Sequence, residues 1–73
     1  MHAVREVAVK VRGNVPASVD ARTVMNCAGP WRVDDGWHET HVVRDEYDVL
    51  LEDGALCRIY RQGEQWYLRG AYD

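Results

Sequence analysis

Apolar and polar residues alternate along much of this chain with the two-residue period of a β-strand. Val7, Val9 and Val11 alternate with Ala8 and Lys10, and Gly13-Asn14 ends that run. Val15 to Asp20 reads as a short second strand. Pro16, which has no N–H to donate, directs it to a sheet edge. Val24 to Ala28 is a further apolar run, stopped by the bend-forming pair Gly29-Pro30, and Trp31 to Val33 resumes the extended pattern. Asp34-Asp35-Gly36 reads as a turn. Trp37 to Val43 is polar and without period, and is expected to be a loop leading into a strand.

The second half carries the clearest signals. Tyr47 to Leu51 and Ala55 to Tyr60 flank Asp53-Gly54, a pair suited to a tight hairpin turn because both central residues tolerate positive φ. A second hairpin is expected at Gln62-Gly63, with Trp66 to Arg69 as its return strand. If both loops contain two residues, Leu51 opposes Leu56 and Ile59 opposes Trp66. Cross-strand partners share a face. One face then carries Leu50, Cys57, Ile59, Trp66 and Leu68, the expected core. The other carries Tyr47, Val49, Leu51, Leu56, Arg58, Tyr60, Tyr67 and Arg69. A one-residue error in a turn would exchange the faces. No helical period of useful length is present. The expected fold is all-β: a small, twisted antiparallel sheet or partly closed barrel of about five or six strands, with a meander in its C-terminal half.

Composition narrows the picture. The 73 residues make a single domain, 1–73, too short to bury a large core. Three Trp and four Tyr supply the additional apolar area that so small a domain needs. The net charge of −3 gives no general field for nucleic acid, so a role there requires a local basic patch. No apolar stretch is long enough to span a membrane and no signal peptide is legible, so a cytoplasmic location is expected. Cys27 and Cys57, thirty residues apart, do not form a disulfide framework and are expected to be reduced and buried.

Four ordered segments have a familiar arrangement. They are Gly29-Pro-Trp-Arg-Val-Asp-Asp-Gly-Trp37, Arg44-Asp-Glu-Tyr-Asp-Val49, Asp53-Gly-Ala-Leu-Cys-Arg-Ile-Tyr-Arg61 and Trp66-Tyr-Leu-Arg-Gly-Ala-Tyr-Asp73. Together they resemble the C-terminal region of the ImuB family, polymerase-like Y-family members of bacterial mutagenesis cassettes. Residues 29–73 carry the resemblance, and Val9 to Asp20 fits the preceding strand more loosely. It implies a setting of damage-induced translesion DNA synthesis. The family's polymerase-like body is thought to act there as an inactive adaptor that joins the sliding clamp, a RecA-like accessory protein and an error-prone polymerase. That body has no counterpart in these residues, nor does a clamp-binding peptide, so the resemblance transfers no functional residue.

Candidate chemistry is sparse. His38-x-x-His41 places two imidazoles on one face of a helix but on opposite faces of a strand, and a zinc site needs four ligands. No metal and no cofactor is expected. Asp45, Glu46 and Asp48 would need a cleft for acid–base work, and Asp45 and Glu46 are expected to start a strand and face water or to pair with Arg44, Arg58 or Arg61. The three Trp read as anchors, with Trp37 beyond the Asp-Asp-Gly turn a candidate for exposure. The face with Tyr47, Arg58, Tyr60, Tyr67 and Arg69 is the candidate binding site, because Arg and Tyr carry binding energy at protein interfaces. The same mixture can also stack bases and hold phosphates. The expected function is therefore non-enzymatic. It is a protein-interaction module of a mutagenic repair assembly, with single-stranded DNA contact as the alternative.

Overall fold

Alternation of this kind leaves few options besides a sheet, and the computed structural model is one. It describes residues 4–34 and 43–72, without the side chains of residues 34, 71 and 72. The expected loop with Trp37, His38 and His41 lies outside the described residues. The strands are β1 (Arg5–Val7), β2 (Val9–Arg12), β3 (Val15–Val19), β4 (Arg22–Asp34), β5 (Val43–Leu51), β6 (Leu56–Gln62) and β7 (Gln65–Tyr72). They form an all-β antiparallel sheet in the order β1-β7-β6-β5-β4-β3-β2. From β2 to β7 each strand pairs with the next in sequence, so the meander runs through nearly the whole chain.

Among the described residues seven strands form where about five or six were expected, for two opposing reasons. The run Val7 to Val11 is divided at Ala8, so that β1 pairs with β7 while β2 pairs with β3. Conversely, Val24 to Ala28 and Trp31 to Val33 belong to one strand, β4. It absorbs Gly29-Pro30 as an irregularity opposite β5, with a cis bond before the proline.

The division at Ala8 curls the sheet. Two consecutive strands occupy its opposite edges, and the edges meet beside Asp20. The Asp20 N–H donates to the Ala8 carbonyl at 2.7 Å, and the Ala8 N–H donates to Asp20 Oδ1 at 2.9 Å. Arg5 completes the corner with Nη1 at 2.9 Å from Asp20 Oδ2. Val7, Val19, Tyr47, Val49, Leu51, Cys57, Ile59 and Trp66 fill the inside of the curl, with Leu68 packed against them.

Of the expected core, Cys57, Ile59, Trp66 and Leu68 are therefore placed inside, but Leu50 is on the outer face. The cause is the β5–β6 turn. Its loop has three residues, with Gly54 N–H donating to the Leu51 carbonyl and Gly54 at φ 86°. That is a tight turn followed by a left-handed residue, a common three-residue hairpin. Leu50 consequently opposes Leu56, one step from the expected register, and β5 turns over. Cys27 and Cys57 are free thiols, each opposite Val49 on strands separated by β5.

Candidate functional site

Pairing across the outer face builds one row of side chains over five strands. Trp31 opposes Glu46, Glu46 opposes Tyr60, Tyr60 opposes Tyr67, and Tyr67 opposes Glu6. Beside that row Asp48 opposes Arg58. Four of the five candidate residues, Arg58, Tyr60, Tyr67 and Arg69, thus lie on one face. Tyr47 does not. It is 6% exposed and packs inside the curl against Trp66, at 5.4 Å between ring centroids. The register step that placed Leu50 outside brought Tyr47 inside.

The face is organised around Glu46, which is 4% exposed. Arg44 Nε and Arg69 Nη1 both donate to its Oε2, at 2.9 and 2.8 Å. Arg58 Nη1 lies 3.7 Å from its Oε1. Arg58 also grips Asp48 with two parallel bonds of 2.8 and 3.0 Å, the fork geometry that suits guanidinium to carboxylate. These bonds hold the Asp48 carboxyl below its usual range. Arg69 reaches Glu46 because it is the extra residue of a bulge: Ile59 opposes Leu68 while Arg58 opposes Gly70. Such a bulge redirects a side chain.

The rings complete the layer. Tyr60 and Tyr67 stack at 5.1 Å between centroids, 26° from parallel. The Arg44 guanidinium lies 5.3 Å from the centre of the Tyr60 ring, and that of Arg58 lies 5.7 Å from Trp31. Trp31 is 47% exposed and is the most open ring described on this face. Its seat depends on Gly29, at φ 112°. A β-carbon there would lie 2.7 Å from the Glu46 carbonyl oxygen and within 3.3 Å of the Trp31 ring, so only glycine allows β4 this close.

Trp31, Arg44, Glu46 and Asp48 join the site although the face assignment from sequence omitted them. The signal was the alternation Arg44-x-Glu46-x-Asp48 opposite Arg58-x-Tyr60. It becomes readable only when the β5–β6 loop is given three residues. Neither thiol is activated: burial raises both, with the Asp48 carboxylate adding to the effect at Cys27. Among the described residues no cluster of three or more His, Cys, Asp or Glu is placed to hold a metal ion, and no helix is long and apolar enough to cross a membrane. Compared with known proteins, the chain matches no family model, no curated protein and no solved structure.

Proposed function

We propose that this chain is a non-enzymatic protein-interaction module of bacterial translesion DNA synthesis, acting in the cytoplasm through its outer face. The setting comes from the resemblance of residues 29–73 to the ImuB C-terminal region. The observation that carries the mode of action is the state of the arginines. Arg44, Arg58 and Arg69 are each bonded to Glu46 or Asp48, so a phosphate would have to displace a carboxylate from each. What the face offers without such competition is ring surface: Trp31, Tyr60 and Tyr67, framed by neutralised charge. Aromatic residues beside Arg are the composition of protein hot spots. With a chain charge of −3, unaided binding of a polyanion is disfavoured.

Single-stranded DNA contact is the second reading, favoured by the stacked pair of Tyr60 and Tyr67, since base stacking on rings tolerates any sequence. Titration with a short oligothymidylate at low and at physiological salt separates the two. The protein-partner reading expects no tight binding at either. Micromolar binding that collapses with added salt, and is lost on Tyr67→Ser, establishes DNA contact instead, because phosphate neutralisation releases counterions.

A further inference from the structure

β4 is the longest described strand and is covered unequally on its two edges. β5 pairs with it from Val24 to Asp34. β3 pairs with it only at Arg22 and Thr23. Beyond that point β3 stays with β2, and their turn at Gly13-Asn14 lines a cleft with Tyr47 and Trp66 on the inside of the curl. From Met25 to Val33 the second edge of β4 therefore has no strand paired with it among the described residues. Met25, Asn26 and the run Ala28 to Arg32 are exposed. Where the strands part, a groove of about 310 Å³ opens between Val15 and Pro16 on β3 and Val24 to Cys27 on β4. Its rim is apolar, with Met25 65% and Val15 53% exposed.

An open strand edge is a row of N–H and C=O groups ready to template one more strand. Shape, position and charge select what that strand is. β3 holds the same edge at Arg22 and Thr23, so a second copy would have to bring a whole sheet, with its own β3, up to the groove. The irregularities between Val24 and Asn26 and between Ala28 and Trp31 would then enter the pairing twice, as would Pro30, which has no N–H to donate. A single extended segment meets each obstacle once. The outer-face row of Trp31, Glu46, Tyr60 and Tyr67 ends at this edge with Trp31, 47% exposed. Cross-strand neighbours share a face, so an added strand sets a side chain beside that ring. Arg22 and Arg32 on β4 are already held by Asp53 and Asp45. Lys10 and Arg12 on β2 are exposed and, among the described residues, form no ion pair. Arg12 opposes Val15 and so stands beside the groove wall. The surplus charge near the groove is therefore positive.

We propose that the edge of β4 from Met25 to Val33 takes up an extended acidic segment of a partner protein as an added strand. The segment's backbone pairs with the groups that β4 turns away from β5, and its alternate side chains pack beside Trp31 and against Met25 and Val15. Its carboxylates are attracted to Arg12 and Lys10. This edge is separate from the stacked tyrosines of the outer face, and either contact can fail without the other.

The test uses the whole isotope-labelled chain and the capped heptapeptide acetyl-Thr-Glu-Val-Thr-Val-Glu-Thr-amide, read by the backbone amide signals in NMR. Two variant peptides accompany it. One carries Lys in place of both Glu. The other is N-methylated throughout, which keeps the side chains and removes every backbone donor. The Glu peptide shifts the amides of Met25 to Val33 in the millimolar range, and the N-methylated peptide does not. The Lys peptide binds at least about fivefold more weakly, the scale of a surface ion pair. Arg12→Ser, at an exposed position, reduces that preference, and Tyr67→Ser on the outer face leaves the response unchanged. No response to the Glu peptide, or an equal response to the Lys or the N-methylated peptide, overturns the proposal. So does a concentration-dependent shift of the same amides without peptide, which would make a second copy the occupant.

Discussion

Glu46 places a carboxylate under a layer of rings and within reach of three guanidiniums. Taking such a group out of water is costly, and the arginines offset that cost only while all are in position. Replacing it with glutamine keeps the shape and removes the charge that Arg44 and Arg69 share. Glu46→Gln is expected to lower stability by about 1–3 kcal/mol, the loss of charge-assisted hydrogen bonds at a covered site. Urea denaturation at neutral pH checks this. An unchanged midpoint would mean that the arginines hold each other's positions without it. Asp20 makes a different contribution, at the corner where the sheet closes. The Ala8 N–H first, then Arg5, hold its carboxyl below the usual value. With the folded value depressed, the stabilisation is complete above the ordinary carboxylate range, about pH 4, and is lost as pH falls through the folded value. Asp20→Asn is therefore expected to flatten the dependence of the denaturation midpoint on pH below about 4. Equal slopes in both proteins would remove Asp20 from the closure.

At the scale of elements, turns decide which side chains meet. The β3–β4 turn contains Asp20 and Ala21 at φ 49° and 69°, two left-handed residues without a glycine. Aspartate tolerates that region, whereas alanine is strained there by about 1–2 kcal/mol. Glycine gives back roughly 0.4–1 kcal/mol of that through the greater freedom of the unfolded chain. Ala21→Gly should thus raise stability by up to about 1 kcal/mol, visible as a higher melting temperature. A lower one would indicate that the turn is not strained. This turn was illegible in the sequence because it lacks the glycine that announces such a geometry. The β5–β6 turn was legible in place but not in length, and the β6–β7 turn in length but one residue out of place. In the second hairpin Gly63-Glu64 forms the loop, and Ile59 opposes Leu68 instead of Trp66, a slip of two residues that leaves every side chain on its face. In the first the slip is one residue, and it exchanged Tyr47 for Leu50. That difference explains why Arg58, Tyr60, Tyr67 and Arg69 were assigned to one face from sequence while Glu46, whose pairing with Arg44 or Arg58 was among the expectations, was not placed on that face. Alternation establishes that strands exist. Register depends on whether a glycine sits at the second or the third position of a loop, and Glu52-Asp53-Gly54 fits both.

Taken as a whole, the molecule has two differently furnished sides. The curl gathers the apolar residues inside. The outer face collects rings and paired charges instead. The division at Ala8 makes this possible: by sending β1 to β7 and β2 to β3, it closes the core and leaves the middle strands, β5 and β6, free to present their other side. That other side is the surface proposed to meet a protein. Its most direct measurement is site-specific photocross-linking in DNA-damaged bacterial cells, with the photoreactive residue at Tyr67 or, as a control, at Val15 on β3, which is 53% exposed. Protein adducts at Tyr67, drawn from the translesion machinery and absent at Val15, are expected. Adducts no more frequent at Tyr67 than at Val15, or adducts at Tyr67 to single-stranded DNA alone, would contradict this.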